Sequence, residues 1–125
     1  MQIKSSNRDK GIFVFQLDQN NYIKFCPARG GVITNWVSDG KEILYFDEKR
    51  FMDKTKSVRG GIPILFPICG NLSITNSVFG VDYLQFTQHG FARDLPWQYF
   101  FNEKSLCLFL NESKKLKNII LSISN

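Results

Sequence analysis

Residues 12–46 read IFVFQLDQNNYIKFCPARGGVITNWVSDGKEILYF, a series of short apolar runs each closed by turn-forming residues. Runs of this kind, unbroken or alternating with period two, are the pattern of β-strands, and almost nowhere does an i, i+3, i+4 spacing last long enough for a substantial helix. Ile12 to Leu17 is a first strand. Asp18-Gln19-Asn20-Asn21 turns the chain into a second, Tyr22 to Cys26, in which Tyr22, Lys24 and Cys26 face away from Ile23 and Phe25. Ala28-Arg29-Gly30-Gly31 then leads to Val32 to Val37, and Asp39-Gly40, a pair suited to a tight type I′ turn, leads to Glu42 to Phe46. Two successive hairpins make the chain all-β.

The flanks agree with that reading. Residues 47–57 are charged, with Asp47 and Glu48 early and the lysines late, which suits one or two helical turns aligned with the helix dipole. Three plain strands close the sequence, Trp97 to Asn102, Leu106 to Leu110 and Asn118 to Ser124, with Glu103 and Glu112 as solvated residues of the connections. Between lies a different texture. Residues 58–96 hold Gly60, Gly61, Gly70, Gly80 and Gly90, five of the nine glycines, together with Pro63, Pro67 and Pro96. Loops of that composition on a β scaffold are where binding groups usually sit.

The length, 125 residues with 43% hydrophobic and 22% charged, predicts one domain over 1–125, with 12 Phe to fill its core. No repeat or linker divides it. No run approaches the roughly 20 apolar residues that span a bilayer, and the polar start lacks the apolar stretch of a signal peptide, so a cytoplasmic chain without membrane association is expected. Cys26, Cys69 and Cys107 are widely spaced and stand beside a single histidine, which makes no zinc ligand set; they are expected to be reduced and mostly buried. The excess of 16 Lys and Arg over 11 Asp and Glu gives +5 and favours anionic partners. The basic residues are scattered and do not interleave with aromatics as a stacking groove requires, so nucleic acid is not expected as a partner.

Two segments carry candidate chemistry. In Val58-Arg59-Gly60-Gly61-Ile62-Pro63 the glycines allow N–H groups to curl toward an anion while the guanidinium grips two oxygens; equally, Arg-Gly-Gly is a common surface turn. The run Ile62 to Pro67, interrupted by Pro63 and Pro67, is suited to an edge or an extended wall. In Gln88-His89-Gly90-Phe91-Ala92-Arg93 an amide, an imidazole and a guanidinium suit a polar, anionic ligand such as a sugar phosphate; equally, His89 is a hydrogen-bonded structural residue and Arg93-Asp94 a surface pair.

Taken together, Arg-Gly-Gly-Ile-Pro-x-x-Phe-Pro-x-x-Gly (Arg59 to Gly70) followed by Gln-His-Gly-Phe-Ala-Arg (Gln88 to Arg93) and Trp97 resembles the hexose-6-phosphate mutarotases, or glucose-6-phosphate 1-epimerases, of the aldose 1-epimerase superfamily. The resemblance implies an antiparallel β-sandwich of the galactose mutarotase-like type, of which this chain is the N-terminal part. It implies an isomerase that interconverts α and β anomers of a hexose 6-phosphate with no cofactor and no metal. Arg59, Gln88 and Arg93 would bind substrate, the arginines holding the phosphate, and His89 would line the pocket near the sugar. The histidine and glutamate that exchange protons in the family lie beyond the matching positions, so slow or absent turnover is expected for the chain alone. A non-catalytic sugar-phosphate module and one half of a split enzyme are the alternative readings. The same comparison predicts apolar side chains such as Leu106, Leu108, Ile119 and Leu121 on an uncovered face, with self-association or pairing with a separately encoded C-terminal half.

Overall fold

The structure, a computed structural model, describes residues 2–7, 11–71, 87–102 and 105–111. It consists of two antiparallel sheets with little helix. The first is a five-stranded meander in chain order, β1 (Gln2–Asn7), β2 (Ile12–Gln16), β3 (Tyr22–Cys26), β4 (Val32–Ser38) and β5 (Lys41–Glu42). A short helix α1 (Glu48–Met52) follows, and a hairpin of β6 (Gln98–Phe101) and β7 (Leu106–Phe109) forms the second sheet.

Local chemistry accounts for the turns. Asp18 accepts the Asn20 amide at 2.8 Å and the Asn21 side chain at 3.0 Å, closing the loop into β3, and these bonds hold its carboxyl below the usual range. Asp39 and Gly40 both take positive φ, 50° and 75°, as a type I′ turn requires, and Ser38 pairs with Lys41 across it. Asp47 caps α1 by accepting the Arg50 amide at 2.9 Å. The helix is shorter than the charged stretch that predicts it, because Asp53 takes extended backbone and ends it.

The first sheet is covered on both faces. On one, the cross-strand pair Phe13 and Phe25 receives Tyr99 of β6, whose ring centroid lies 5.3 Å from each, so the second sheet stacks on the first through an aromatic triangle. Each such pair adds about 0.5–1.5 kcal/mol beyond area burial. On the other face Ile12, Cys26 and Val32 pack with Phe51 of α1, joined by Phe46 and Val58. Phe25 and Cys26 are adjacent yet both buried, one under each cover. A bulge between Lys24 and Phe25 shifts the register so that Phe25 faces Ile33. The surplus residue, Thr34, is fully buried, and its hydroxyl donates to Asn35 Oδ1 at 2.9 Å.

Four expectations are corrected. Gln2–Asn7 is a strand, held through its backbone to β2. The strand expected over Glu42 to Phe46 is reduced to Lys41–Glu42 beside β4, with one further bond from Ile43 N–H to Trp36 O at 2.8 Å, after which Phe46 leaves to bridge Gly60. Of the cysteines only Cys26 is buried, which pushes its thiol pKa up, whereas Cys69 and Cys107 are exposed. In the second sheet Leu106 and Leu108 are half-buried, and the exposed apolar side chains are Phe100 and Phe101. Strand Asn118 to Ser124, Ile119, Leu121, Glu103 and Glu112 lie outside the described residues. Among the described residues no helix is long and apolar enough to cross a membrane, and no three His, Cys, Asp or Glu side chains are grouped to hold a metal ion.

Candidate functional site

The Arg-Gly-Gly segment is built into the sheet through its backbone. Asp47 N–H donates to Arg59 O at 3.0 Å, Gly61 N–H to Tyr45 O at 2.8 Å, and Ile62 and Ile33 exchange a pair of bonds at 2.8 and 3.2 Å. A Cβ at Gly60 would stand 2.2 Å from Tyr45 O, and one at Gly61 2.4 Å from Ile33 O. The glycines therefore serve close backbone approach. The expectation that their N–H groups curl toward an anion is corrected for Gly61, whose amide is already spent on Tyr45 O.

The two motifs meet end to end. Phe66 O accepts both Phe91 N–H at 2.9 Å and Ala92 N–H at 3.2 Å, and Phe66 bridges Gly90 in parallel. Gly70 and His89 are clasped: His89 N–H donates to Gly70 O at 2.9 Å, and Gly70 N–H donates to His89 Nδ1 at 2.7 Å. With Nδ1 accepting, the neutral ring carries its proton on Nε2, so His89 presents a donor on that side. Gln88 gives its carbonyl to Arg93 Nη2 at 3.1 Å, while its side chain is exposed. Gln88, His89 and Arg93 are thus gathered in one loop docked against Phe66 to Gly70. Arg59 is exposed and makes no side-chain hydrogen bond or ion pair with a described residue.

Arg93 lines a cleft of about 210 Å³ that also takes Arg29, Lys54 and Asp94, with Val58 and Pro63 from either side of Arg59 as apolar wall. Arg59 itself is outside this lining. Tertiary docking places the new cations. The turn Pro27–Arg29 is held against the Ala92–Asp94 turn by Gly30 N–H to Leu95 O at 2.9 Å and Trp97 N–H to Pro27 O at 2.8 Å. The Trp97 indole N–H closes the joint by donating to Ala92 O at 2.8 Å. Arg29 lies over the Phe51 ring at 4.9 Å and donates to Phe51 O and, at 3.1 Å, to Lys56 O. Arg50 Nε donates to Ser57 O at 2.9 Å, so the loop carrying Lys54 is pinned from two sides.

Asp53 belongs to that loop but does not neutralise the cleft. Its carboxylate accepts the Thr55 hydroxyl at 2.6 Å and the Thr55 amide at 3.0 Å and pairs with Lys56 at 2.9 Å, bonds that hold its pKa at about 2. Sequence reasoning missed Arg29 and Lys54 as residues lining this cleft. The nearest signal was Gly30-Gly31, which lets the Arg29 turn lie flat against the Arg93 backbone and the Trp97 ring.

No family model matches this chain. A curated protein of Cenchrus ciliaris described as "Putative glucose-6-phosphate 1-epimerase" is 36% identical over 69 residues, 54% of this chain and 18% of that protein. The crystal structure of the Slr1438 protein from Synechocystis sp. PCC 6803 aligns with 42% identity and a TM-score of 0.69, covering 82% of this chain and 37% of that one. The chain shares the all-β fold of Slr1438 over that span. It covers well under half of the length of either relative.

Proposed function

We propose that this chain forms the substrate-holding part of a hexose-6-phosphate 1-epimerase of the mutarotase type, within a larger β-sandwich. The observation that carries the reading is the docking of the two motifs: Phe66 O, Gly90, and the Gly70–His89 clasp fix an amide, an imidazole and a guanidinium in one loop beside a cationic cleft. The likeness to a protein described as a putative glucose-6-phosphate 1-epimerase supports it.

In this reading Arg59, Gln88 and Arg93 contact the substrate, and His89 Nε2–H donates to a sugar oxygen. Mutarotation requires one group to remove the proton of the anomeric hydroxyl and a second to protonate the ring oxygen, so that the ring opens, C1 turns, and the ring closes on the other face. His89 is the one histidine of the sequence, and its Nδ1 is engaged by Gly70, which suits it to orient and polarise substrate rather than to shuttle protons. That engagement favours binding with little turnover by the chain itself, the behaviour shared by a binding module and by one half of a split enzyme.

The test is titration with glucose 6-phosphate and with glucose, followed by NMR together with anomer exchange. The expected result is preferential binding of the phosphate ester, weakened by Arg59→Ala and Arg93→Ala, without rapid exchange. Unchanged affinity in both variants, or equal binding of glucose, refutes the reading.

A further inference from the structure

The cleft between the Pro27–Arg29 turn, the loop after α1 and the Ala92–Asp94 turn carries more positive charge than its surroundings balance. Arg29, Lys54 and Arg93 face it with Asp94 as the single acidic member of the lining. Asp53, on the same loop as Lys54, is committed to Lys56 at 2.9 Å. Both guanidiniums retain donors. Arg29 spends two of its five N–H groups on the carbonyls of Phe51 and Lys56, and Arg93 spends one on Gln88 O. Arg93 Nε is buried without a partner among the described residues.

The neighbouring bonds also hold the two guanidiniums in place. Arg29 is fixed over Phe51, and Gly30 abuts the backbone of Arg93 so closely that a Cβ there would meet Arg93 O at 2.2 Å. Two pinned guanidiniums and the exposed Lys54 around a small volume, opposed by the single carboxylate of Asp94, leave a net positive site suited to a compact oxyanion, and guanidinium forks favour the geometry of phosphate. From this arrangement we infer that the cleft is a phosphate-monoester subsite in which Arg29 and Lys54 join Arg93. The inference rests on the sugar-phosphate reading only for the identity of the group carried by the phosphate. Arg59, outside the lining, is left to contact the remainder of that ligand. Asp94 sets the upper limit on affinity by opposing the incoming charge.

Binding of inorganic phosphate and of glucose 6-phosphate to the full chain, measured by calorimetry at low salt, separates the possibilities. Lys54 and Asp94 are exposed and can be changed without disturbing the bonds that fix Arg29. Lys54→Glu is expected to weaken inorganic phosphate roughly tenfold or more, and Asp94→Asn to tighten it several-fold, both effects shrinking as salt is raised. Lys41→Glu, the same charge change on exposed β5, is expected to shift affinity by less than about twofold at moderate salt. Equal losses for the two reversals, or no phosphate binding at all, overturn the subsite. Phosphate binding that depends on Lys54, with glucose 6-phosphate no tighter than phosphate, supports the subsite and refutes the sugar reading. Tight glucose 6-phosphate binding indifferent to Lys54 does the reverse.

Discussion

Replacing Gly90 by alanine tests the joint on which the site depends. At φ 72° the residue is left-handed, and an added Cβ would stand 2.2 Å from Phe66 O, 2.6 Å from its carbonyl carbon and 2.8 Å from Pro67 Cδ. Backbone conformation alone costs an L-residue about 1–2 kcal/mol. The collision then pushes away the carbonyl that receives the Phe91 and Ala92 amides, bonds worth about 1 kcal/mol each net. Gly90→Ala should therefore lose about 3–4 kcal/mol, a large share of the roughly 5–15 kcal/mol that holds a typical domain folded. Gly70 supplies the control: its φ is 95°, but an added Cβ meets nothing within 4 Å, so Gly70→Ala should lose only about 1–2 kcal/mol. Urea unfolding followed by circular dichroism reads both. If Gly90→Ala is no more destabilised than Gly70→Ala, the contact between Phe66 and Gly90 does not hold the motifs together.

Two further outcomes follow from particular bonds. Nitrogen-15 NMR of His89 should show the neutral ring protonated on Nε2, since Gly70 N–H occupies Nδ1; a proton on Nδ1 would break the clasp and, with it, the donor role given to this residue. Asp53, held at about 2 by the Thr55 hydroxyl, Lys56 and the Thr55 amide, titrates below its ordinary 3.8, so the stabilisation it gives is in place above about 3.8 and is lost as pH falls through about 2. Asp53→Asn should accordingly lessen the fall in melting temperature between about pH 4 and pH 2, and an unchanged acid limb would show the loop to be held by other bonds.

The sequence displays what is encoded locally. Tyr22 to Cys26 and the start of β2 at Ile12 are visible because apolar runs end at Asn and Pro, and Asp39-Gly40 is visible because few dipeptides accept two positive φ values. β1 is hidden: Gln-Ile-Lys-Ser-Ser-Asn has no apolar periodicity, and its pairing with β2 uses backbone groups that every residue carries. Burial of both Phe25 and Cys26 depends on a bulge set by the neighbouring strand. The site divides in the same way. Gln88, His89 and Arg93 are close in sequence and stay close in space, whereas Arg29 and Lys54 reach the cleft only when three distant turns dock. Arg59 is prominent in its motif, yet the structure assigns its two glycine neighbours to sheet packing and leaves its side chain outside the cleft.

The indole of Trp97 lies against Gly31 on one side and is tethered to Ala92, the residue before Arg93, on the other. A fluorophore thus stands at the joint beside the cationic pocket. An occupant that draws Arg93 toward itself alters the polarity felt by that ring, while Trp36, 46% exposed on the sheet, supplies a steady background. Occupancy can be watched through the colour of intrinsic emission, with no label attached.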